Sequence, residues 1–262
     1  MIKQVEVETD LYDRHSLSLE RGEDVVDRFI YDKVVTLRKN QLIVDWLPTK
    51  KCLILDYGCG NGEVSRYLVR RNHEVVAFDL SKGMIRYARK VTGSDRISYL
   101  VASGENLPLR DGVFDAVIGV GIFHHLNLFK GLEECQRSLK RNGRLEFMEP
   151  NTLNPLSFVG RRILRTSIHT PKETTFTPWF LKDTIRKIGF DLIETKMMSF
   201  AGYSLAFLSA WLDRKKQSGL QKLVPVLRRT TRLAILFDRV CENLPFLNNA
   251  CWIIAMNTQR TR

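Results

Sequence analysis

Short apolar runs alternate with amphipathic segments along the first two hundred residues of the chain. Leu53–Leu55 is a continuous apolar run, which is typical of a strand buried on both faces of a parallel sheet. Glu63–Arg71 then places Val64, Tyr67 and Leu68 at helical spacing. The repetition of this strand-then-helix pattern predicts an α/β fold with a parallel sheet at its centre.

The same pattern predicts the other elements of the sheet and its helices. Further strands are predicted at Glu74–Asp79, Ile97–Ala102, Phe114–Val120, Arg144–Glu149, Asp191–Lys196 and Ala250–Met256. Helices are predicted at Asp24–Trp46, Ser81–Val91, Leu128–Leu139 and Thr177–Ile188. Ser81 is a suitable N-cap, and Pro178 fits a first helical turn, where proline costs no hydrogen bond. Residues 151–176 are predicted to be irregular, with an apolar and basic piece at Phe158–Ile168.

The last third of the chain shows a different pattern. Residues 197–212 carry no charge, but this stretch is shorter than the roughly 18 to 20 residues that span a membrane. Apolar residues then recur at helical spacing, at Leu220, Leu223, Val224, Leu227, Leu233, Leu236, Phe237 and Val240. Basic residues lie between them, at Lys222, Arg228, Arg229, Arg232 and Arg239. The pattern predicts a basic and apolar helical insertion over 201–248, kinked near Pro225.

Positive charge is concentrated in the same part of the chain. The formal net charge is +12, yet residues 1–157 hold 23 basic against 22 acidic residues, and residues 158–262 hold 18 against 7. This asymmetry favours an anionic partner, which would be a membrane surface, an acidic substrate or nucleic acid. The alternative is a solvated basic surface. Nucleic acid is disfavoured because no aromatic residues are interleaved as a stacking platform and no recognition motif is present.

The cysteines and the N-terminal residues indicate the cellular compartment of the protein. The five cysteines form no C-x-x-C pair and have no metal-ligand spacing, so they predict packing roles, a reducing compartment and no metal site. Residues 1–23 are of mixed charge without an apolar stretch, which is not the pattern of a signal peptide. We therefore expect a cytoplasmic protein, peripheral at the inner face of the membrane.

A glycine-rich turn carries the strongest chemical signal. Gly58, Gly60 and Gly62 directly follow the first predicted strand, where a tight turn and the close approach of a ligand both require glycine. A dinucleotide fingerprint would be G-x-G-x-x-G, whereas this spacing is G-x-G-x-G and Glu63 would oppose a pyrophosphate. Asp56 lies two residues before the first glycine and can receive a cationic group. The predicted ligand carries an ammonium and a carboxylate but no phosphate.

The segment Asp56–Gly62 resembles the first motif, D-x-G-C-G-x-G, of class I S-adenosylmethionine-dependent methyltransferases. Four further segments match this family in order, namely Glu74–Asp79, Ala102–Leu109, Phe114–Leu126 and Arg137–Gly143. The resemblance covers about residues 25–200 and 250–257. It implies a Rossmann-like, seven-stranded, mostly parallel sheet with helices on both faces and an antiparallel last strand.

The resemblance also implies which residues hold S-adenosylmethionine. They are Asp56, Gly58, Cys59, Gly60, Gly62, Asp79, Leu80, Ser103, Gly104, Glu105, Gly119 and Val120. Asp79 would accept hydrogen bonds from both ribose hydroxyls. Two departures from the family stand out. Ser103 occupies a position that is usually Asp. The second glycine of the turn before strand five is missing, since Asn142-Gly143-Arg144 stands there, and Asn tolerates a left-handed backbone.

The implied activity is methyl transfer to oxygen or carbon of a small or lipid-linked acceptor. His124 and His125 follow strand four, at the rim where the methyl group would lie, and either is a candidate general base. The alternative is that one histidine packs and the other caps the next helix. Nitrogen acceptors are disfavoured because no N-P-P-Y-like tetrapeptide follows strand four. The alternative function is a catalytically inactive S-adenosylmethionine-binding partner or regulatory subunit.

These observations divide the chain into four parts. Residues 1–23 form an N-terminal lid or tail, in which Tyr12 and His15 are the candidates to cover the cofactor. Residues 24–200 are the methyltransferase core, 201–248 the helical insertion, and 249–262 the last strand and tail. The insertion is expected to cap the active site and to touch an anionic membrane surface with its outer face. A soluble lid and a dimer contact are the other interpretations of the insertion.

Overall fold

The computed structural model describes residues 2–21, 33–157, 174–214 and 222–261. The predicted piece Phe158–Ile168 and the first half of the predicted helix Asp24–Trp46 lie outside the described residues. The strands are β1 Leu53–Tyr57, β2 Glu74–Asp79, β3 Ile97–Val101, β4 Phe114–Val120, β5 Leu139–Pro150, β6 Phe190–Met198 and β7 Ile253–Arg260.

These strands form one seven-stranded sheet in the order β3-β2-β1-β4-β5-β7-β6. The first five are mutually parallel, while β7 pairs antiparallel with both β5 and β6. This architecture confirms the predicted seven-stranded, mostly parallel sheet. The chain leaves β1 toward β2 on one side and returns to β4 on the other, which makes the carboxyl end of β1 a switch point where such sheets bind ligands.

Helices cover both faces of the sheet. They are α1 Ile2–Glu20, α2 Lys33–Trp46, α3 Glu63–Arg70, α4 Lys82–Thr92, α5 Leu128–Ser138, α6 Pro178–Ile188, α7 Gly202–Arg214, α8 Val224–Asn243 and α9 Pro245–Asn248. Ile54 and Leu55 are both fully buried, one in the core cluster on each face of the sheet. This two-sided burial explains the unbroken apolar run in β1.

Two strands, β5 and β7, differ from their predicted bounds by more than two residues. β5 begins at Leu139 instead of Arg144, and Asn142 within it adopts φ +63°, as expected for an Asn in a left-handed position. β7 covers Ile253–Arg260 instead of residues 250–256. Its second half contains Asn257 and Thr258, which are polar yet buried, and the Thr258 hydroxyl donates a hydrogen bond to the Leu145 carbonyl. A hydrophobicity pattern cannot detect such residues, because the Thr258 hydroxyl meets its acceptor only when β7 pairs with β5.

The N-terminal segment is helical and lies against the sheet's first half. Helix α1 packs on α4. The Asp13 carboxylate accepts hydrogen bonds from the Ser81 hydroxyl and from the Gly83 amide at 2.8 Å, where α4 begins. Ser81 is also the N-cap of α4, as predicted. The contact places α1 beside the loop that follows Asp79.

The described parts of the segment between β6 and β7 consist mainly of the helices α7, Gly202–Arg214, α8, Val224–Asn243, and α9, Pro245–Asn248. Pro225 lies in the first turn of α8, so it begins this helix and does not kink one. Within the described parts of the chain, no helix is both long and apolar enough to cross a membrane.

Two carboxylates fix helix α8 to the rest of the protein. The buried Asp238 carboxylate accepts hydrogen bonds from the Ser199 hydroxyl and from the backbone amides of Ala201 and Gly202, at the start of α7. Glu242 forms a two-pronged ion pair with Arg38 of α2, with nitrogen to oxygen distances of 2.8 and 2.7 Å. These contacts set which face of α8 turns inward.

Candidate functional site

The glycine turn after β1 combines a strained backbone with open space. Gly58 and Gly60 have φ values of +73° and +50°, in the left-handed region that side chains disfavour. A Cβ on Gly58 would lie 2.5 Å from Ile122 Cγ1. Among the described residues, nothing lies within 4 Å of the place a Cβ on Gly60 would take. Gly58 therefore packs closely against Ile122, whereas the space beside Gly60 is open for a ligand.

Asp79 links this turn to the next helix. Its Oδ2 accepts a hydrogen bond from the Gly60 amide at 2.9 Å, and its Oδ1 accepts one from the Ser81 amide at 2.9 Å. Burial raises the pKa of Asp79, and these two amides oppose the rise. Because each carboxylate oxygen can accept about two hydrogen bonds, both oxygens retain capacity for further donors.

Asp56 lies deeper than the glycines it precedes. Its carboxylate is buried and accepts a hydrogen bond from the Ser65 hydroxyl of α3. Burial raises the pKa of Asp56 to about 6, against the lowering effect of the Ser65 hydrogen bonds. The Asp79 carboxylate adds a smaller rise. Asp56 and Asp79 therefore repel each other when both are charged, and a bound cation would reduce this repulsion.

The predicted adenine segment forms a compact loop on Tyr57. The Tyr57 hydroxyl donates to the carbonyl oxygens of Gly104 and Gly131, and its ring is fully buried. A Cβ on Gly104 would lie 3.0 Å from the Tyr57 ring. Ser103 Oγ accepts from the Glu105 amide, and Glu105 Oε1 accepts from the Asn127 amide at 2.9 Å. Glu105 therefore holds the start of α5.

The other predicted cofactor residues lie around the same strand ends. Gly119 and Val120 end β4, and a Cβ on Gly119 would lie 2.9 Å from the Phe123 ring. The Cys59 amide donates to the Phe78 carbonyl at 2.8 Å, which ties the turn to β2. Leu80 follows β2 and is partly exposed, and Gly62 is the residue before α3. The fold thus brings the predicted cofactor residues to the loops at one edge of the sheet.

A histidine and a glutamate meet at the ends of β4 and β5. His124 Nδ1 lies 2.7 Å from Glu149 Oε2. The other glutamate oxygen accepts the amides of Ile122 and Phe123, at 3.0 and 2.7 Å. The Glu149 side chain is fully buried, while that of His124 remains 12% exposed. The glutamate therefore fixes both the loop and the imidazole, and the His124 side chain remains partly exposed.

His125 is engaged by the N-terminal helix. Its Nε2 lies 2.8 Å from the Tyr12 hydroxyl, and the two rings meet edge to face. The His124 and His125 ring centroids are 3.9 Å apart. Of the two residues of α1 predicted to cover the cofactor, Tyr12 reaches the histidine pair, whereas His15 is buried within the helix packing. In the described residues, no group of three or more His, Cys, Asp or Glu side chains could hold a metal ion.

The sequence did not predict the pairing of His124 with Glu149. A signal for it was present, because His124 follows one strand of the predicted parallel sheet and Glu149 ends another. Parallel neighbours bring their carboxyl ends to one edge. The engagement of His125 by Tyr12 had no such signal, since 113 residues separate the two.

Comparisons with known proteins support the same assignment. Residues 55–147 match the family described as "Methyltransferase domain". The chain is similar to a demethylmenaquinone methyltransferase from Clavibacter sepedonicus, with 34% identity over 54% of this chain and 54% of that protein. Residues 55–147 are a class I methyltransferase domain. This confirms the predicted family and its cofactor, S-adenosylmethionine.

Two further similarities place the domain in context. A malonyl-[acyl-carrier protein] O-methyltransferase from Pectobacterium atrosepticum is 39% identical over 51% of this chain and 54% of that protein. The chain thus spans about half the length of the curated relatives it matches. A mycolic acid cyclopropane synthase solved with SAH and CTAB has a TM-score of 0.62 and 18% identity, covering 86% of this chain and 84% of that one. At that identity the likeness concerns the fold.

The residues of the methyltransferase domain fit the cofactor. The open space beside Gly60, the remaining acceptor capacity of Asp79 and the two neighbouring acids Asp56 and Asp79 are chemically compatible with a ribose and an amino acid group.

Replacement of Gly60 tests the open space directly. Gly60→Ala should lower the stability of the fold by about 1–2 kcal/mol, because its φ is left-handed, and should also lower S-adenosylhomocysteine affinity at least about tenfold by filling the ligand space. Gly93→Ala is the matched control, since Gly93 has φ +55° and open space but ends α4. Urea unfolding and calorimetry measure the two effects. Equal ligand affinity in the two variants would contradict the assignment of the turn.

Asp56 should make stability depend on pH. Its pKa in the fold is about 6 against an ordinary value of 3.8, so the protonated form favours folding below about pH 4, and this contribution is lost as the pH rises through 6. The loss amounts to about 3 kcal/mol. Asp56→Asn should therefore gain about that much relative to wild type between pH 4 and pH 7.5 in urea unfolding. Exposed Asp95→Asn is the control, and a parallel pH profile for both variants would refute the prediction.

Proposed function

We propose that the protein transfers a methyl group from S-adenosylmethionine to an oxygen or carbon atom of a small or lipid-linked acceptor, with His124 as general base. The observation that carries this proposal is the His124–Glu149 pair at the ligand edge of the sheet. Bound there, the cofactor supplies an electrophilic methyl group with a good leaving group. The protein's own residues must then orient the acceptor and remove its proton.

The geometry assigns different roles to the paired residues. A carboxylate that faces Nδ1 requires a donor, so Nδ1 carries the proton and Nε2 of His124 is left with a lone pair. This is the atom that would take a proton from a hydroxyl or an acidic carbon. Glu149 acts as a positioning residue, because its second oxygen also holds the two backbone amides before the histidine. His125 is the weaker candidate, since its Nε2 already faces Tyr12.

The cofactor roles follow from the contacts described above. The backbone at Gly58, Gly60 and Gly62 would hold the amino acid part, with Asp56 close to it. Asp79 would accept hydrogen bonds from the ribose hydroxyls. The other residues proposed to hold the cofactor are Leu80, Cys59, Ser103, Gly104, Glu105, Gly119 and Val120.

The acceptor class draws support from the relatives. A demethylmenaquinone and a malonyl-[acyl-carrier protein] methyltransferase share the domain, and their names include a lipid quinone and an oxygen acceptor. We extend the proposal to the place of reaction, the inner face of an anionic membrane, which the basic C-terminal part of the chain favours. Residues 201–248 would then cap the site on the membrane side.

Kinetics of two variants test the base. His124→Asn should lower kcat by about 10²–10⁴-fold with unchanged S-adenosylhomocysteine affinity, because only the proton transfer is lost. Glu149→Gln should lower kcat less than His124→Asn, because the imidazole remains and only its orientation is weakened. Transfer of labelled methyl groups to acceptors from cell extracts is the measurement.

The control for this experiment is His125→Asn. A larger loss in that variant than in His124→Asn would show that the base is His125 and not His124. Cofactor binding without transfer to any extract fraction would instead favour the catalytically inactive binding partner.

Helix α1 is proposed to be a lid over the cofactor. Tyr12 of this helix contacts His125, and Asp13 contacts the start of α4. His125 and the start of α4 lie on two sides of the loop that follows Asp79. Tyr12→Phe should release S-adenosylhomocysteine several times faster in stopped-flow experiments, since one of the closing hydrogen bonds is lost. Tyr67→Phe, which removes only an exposed contact with Arg71, is the control. Unchanged release rates in Tyr12→Phe would contradict the lid.

A further inference from the structure

Helix α8 and the start of α9 present an apolar stripe to the outside of the protein. We define this stripe by Val226, Leu233, Leu236, Phe237, Val240 and Phe246. Leu233 and Leu236 are 66% and 60% exposed, and Phe246 is 92% exposed. The members on α8 recur at intervals of three, four or seven residues, so they form one continuous line along the helix. Large apolar side chains grouped in this way mark an interaction surface.

The exposure of the stripe follows from how α8 is held. The opposite face of the helix is buried and includes Ile235, Asp238 and Cys241. Asp238 holds the start of α7, and Glu242 is paired with Arg38. Rotation of the helix to bury the stripe would break these contacts and expose Ile235. The stripe therefore faces outward as a consequence of the inward anchors.

Among the described side chains of residues 222–248, the exposed charges are positive. Lys222, Arg229 and Arg239 are exposed. The acidic residues within 222–248 are Asp238 and Glu242, and both are bound to groups on the inner side. Positive charge thus flanks the apolar surface without acidic neighbours from the same segment. The partner that complements this surface is apolar in its interior and anionic at its boundary.

We propose that the apolar stripe inserts into the interface of an anionic lipid bilayer, with Arg229 and Arg239 at the level of the lipid phosphates. An interfacial helix of this kind lies in the membrane plane and buries one apolar face. Basic residues beside anionic lipid raise the partition coefficient about fivefold each. This inference rests on the proposed function for its biological purpose, because the bilayer would supply the lipid-linked acceptor to the site.

A second copy of the chain fits the same surface less well. A twofold contact through the stripe would use the same patch on both copies. It would bring Arg229 and Arg239 of one copy toward the same residues of the other, without acidic side chains from 222–248 to compensate them. A bilayer with anionic headgroups has no such conflict.

Vesicle co-sedimentation of the full chain tests the proposal without any methyl transfer. The probes are phosphatidylcholine vesicles with and without phosphatidylglycerol. Wild type should bind only the anionic vesicles, and binding should weaken as salt is raised. Arg229→Glu with Arg239→Glu should lower the partition coefficient at least about 25-fold. Leu236→Ser with Phe246→Ser should lower it at least about tenfold.

Matched controls lie on α4, at the other end of the sheet. Arg86→Glu with Lys90→Glu makes the same change of charge, and Val91→Ser removes one exposed apolar side chain. All variants should unfold in urea at the wild-type midpoint, and the controls should bind vesicles as wild type does. Because binding is read without the reaction, failure of the methyltransferase proposal leaves this result unaffected.

Three outcomes would overturn the inference. One is equal binding to anionic and to zwitterionic vesicles. Another is an effect of the control charge reversals as large as that of Arg229→Glu with Arg239→Glu. The third is a wild-type dimer in sedimentation velocity that the Leu236→Ser and Phe246→Ser variant converts to a monomer, since the stripe would then belong to a second copy.

Discussion

Carboxylates that accept hydrogen bonds from backbone amides hold the loops of this protein in place. Asp79 accepts the amides of Gly60 and Ser81, and Glu149 accepts those of Ile122 and Phe123. Parallel strands end at one edge of the sheet, where the chain turns away and leaves backbone donors without partners. A carboxylate at a strand end accepts hydrogen bonds from these amides and thereby also holds the loop in one conformation.

The same acids are placed to meet ligands, which connects the stability of the fold to its chemistry. Asp79 holds the glycine turn and retains acceptor capacity toward the space beside Gly60. Glu149 holds the loop after β4 and at the same time orients His124. Asp238 extends the principle outside the sheet, since it holds the start of α7 and thereby turns the other face of α8 outward. One kind of interaction therefore sets the cofactor turn, the candidate base and the outer surface of the insertion.

Segments with local signals were predictable. The left-handed turn at Gly58 and Gly60 needs glycine whatever surrounds it, and the apolar run of β1 needs burial on both faces. Ser81 caps the helix that follows it, and Asn142 takes the left-handed position expected of it. In each case the preference belongs to a few consecutive residues, so the sequence displays it directly.

The sequence by itself determined the seven strands in chain order, the helices between β1 and β6, the glycine turn and the acid at the end of β2. The tertiary structure alone decided which histidine remains available, because Tyr12 engages His125 across 113 residues. It also decided the extent of β7, whose polar Thr258 is satisfied only by β5. Spacing predicted the apolar positions of α8, but not the face that would be covered. That choice depends on Arg38, which lies 204 residues from its partner Glu242, and no local pattern contains a contact over such a distance.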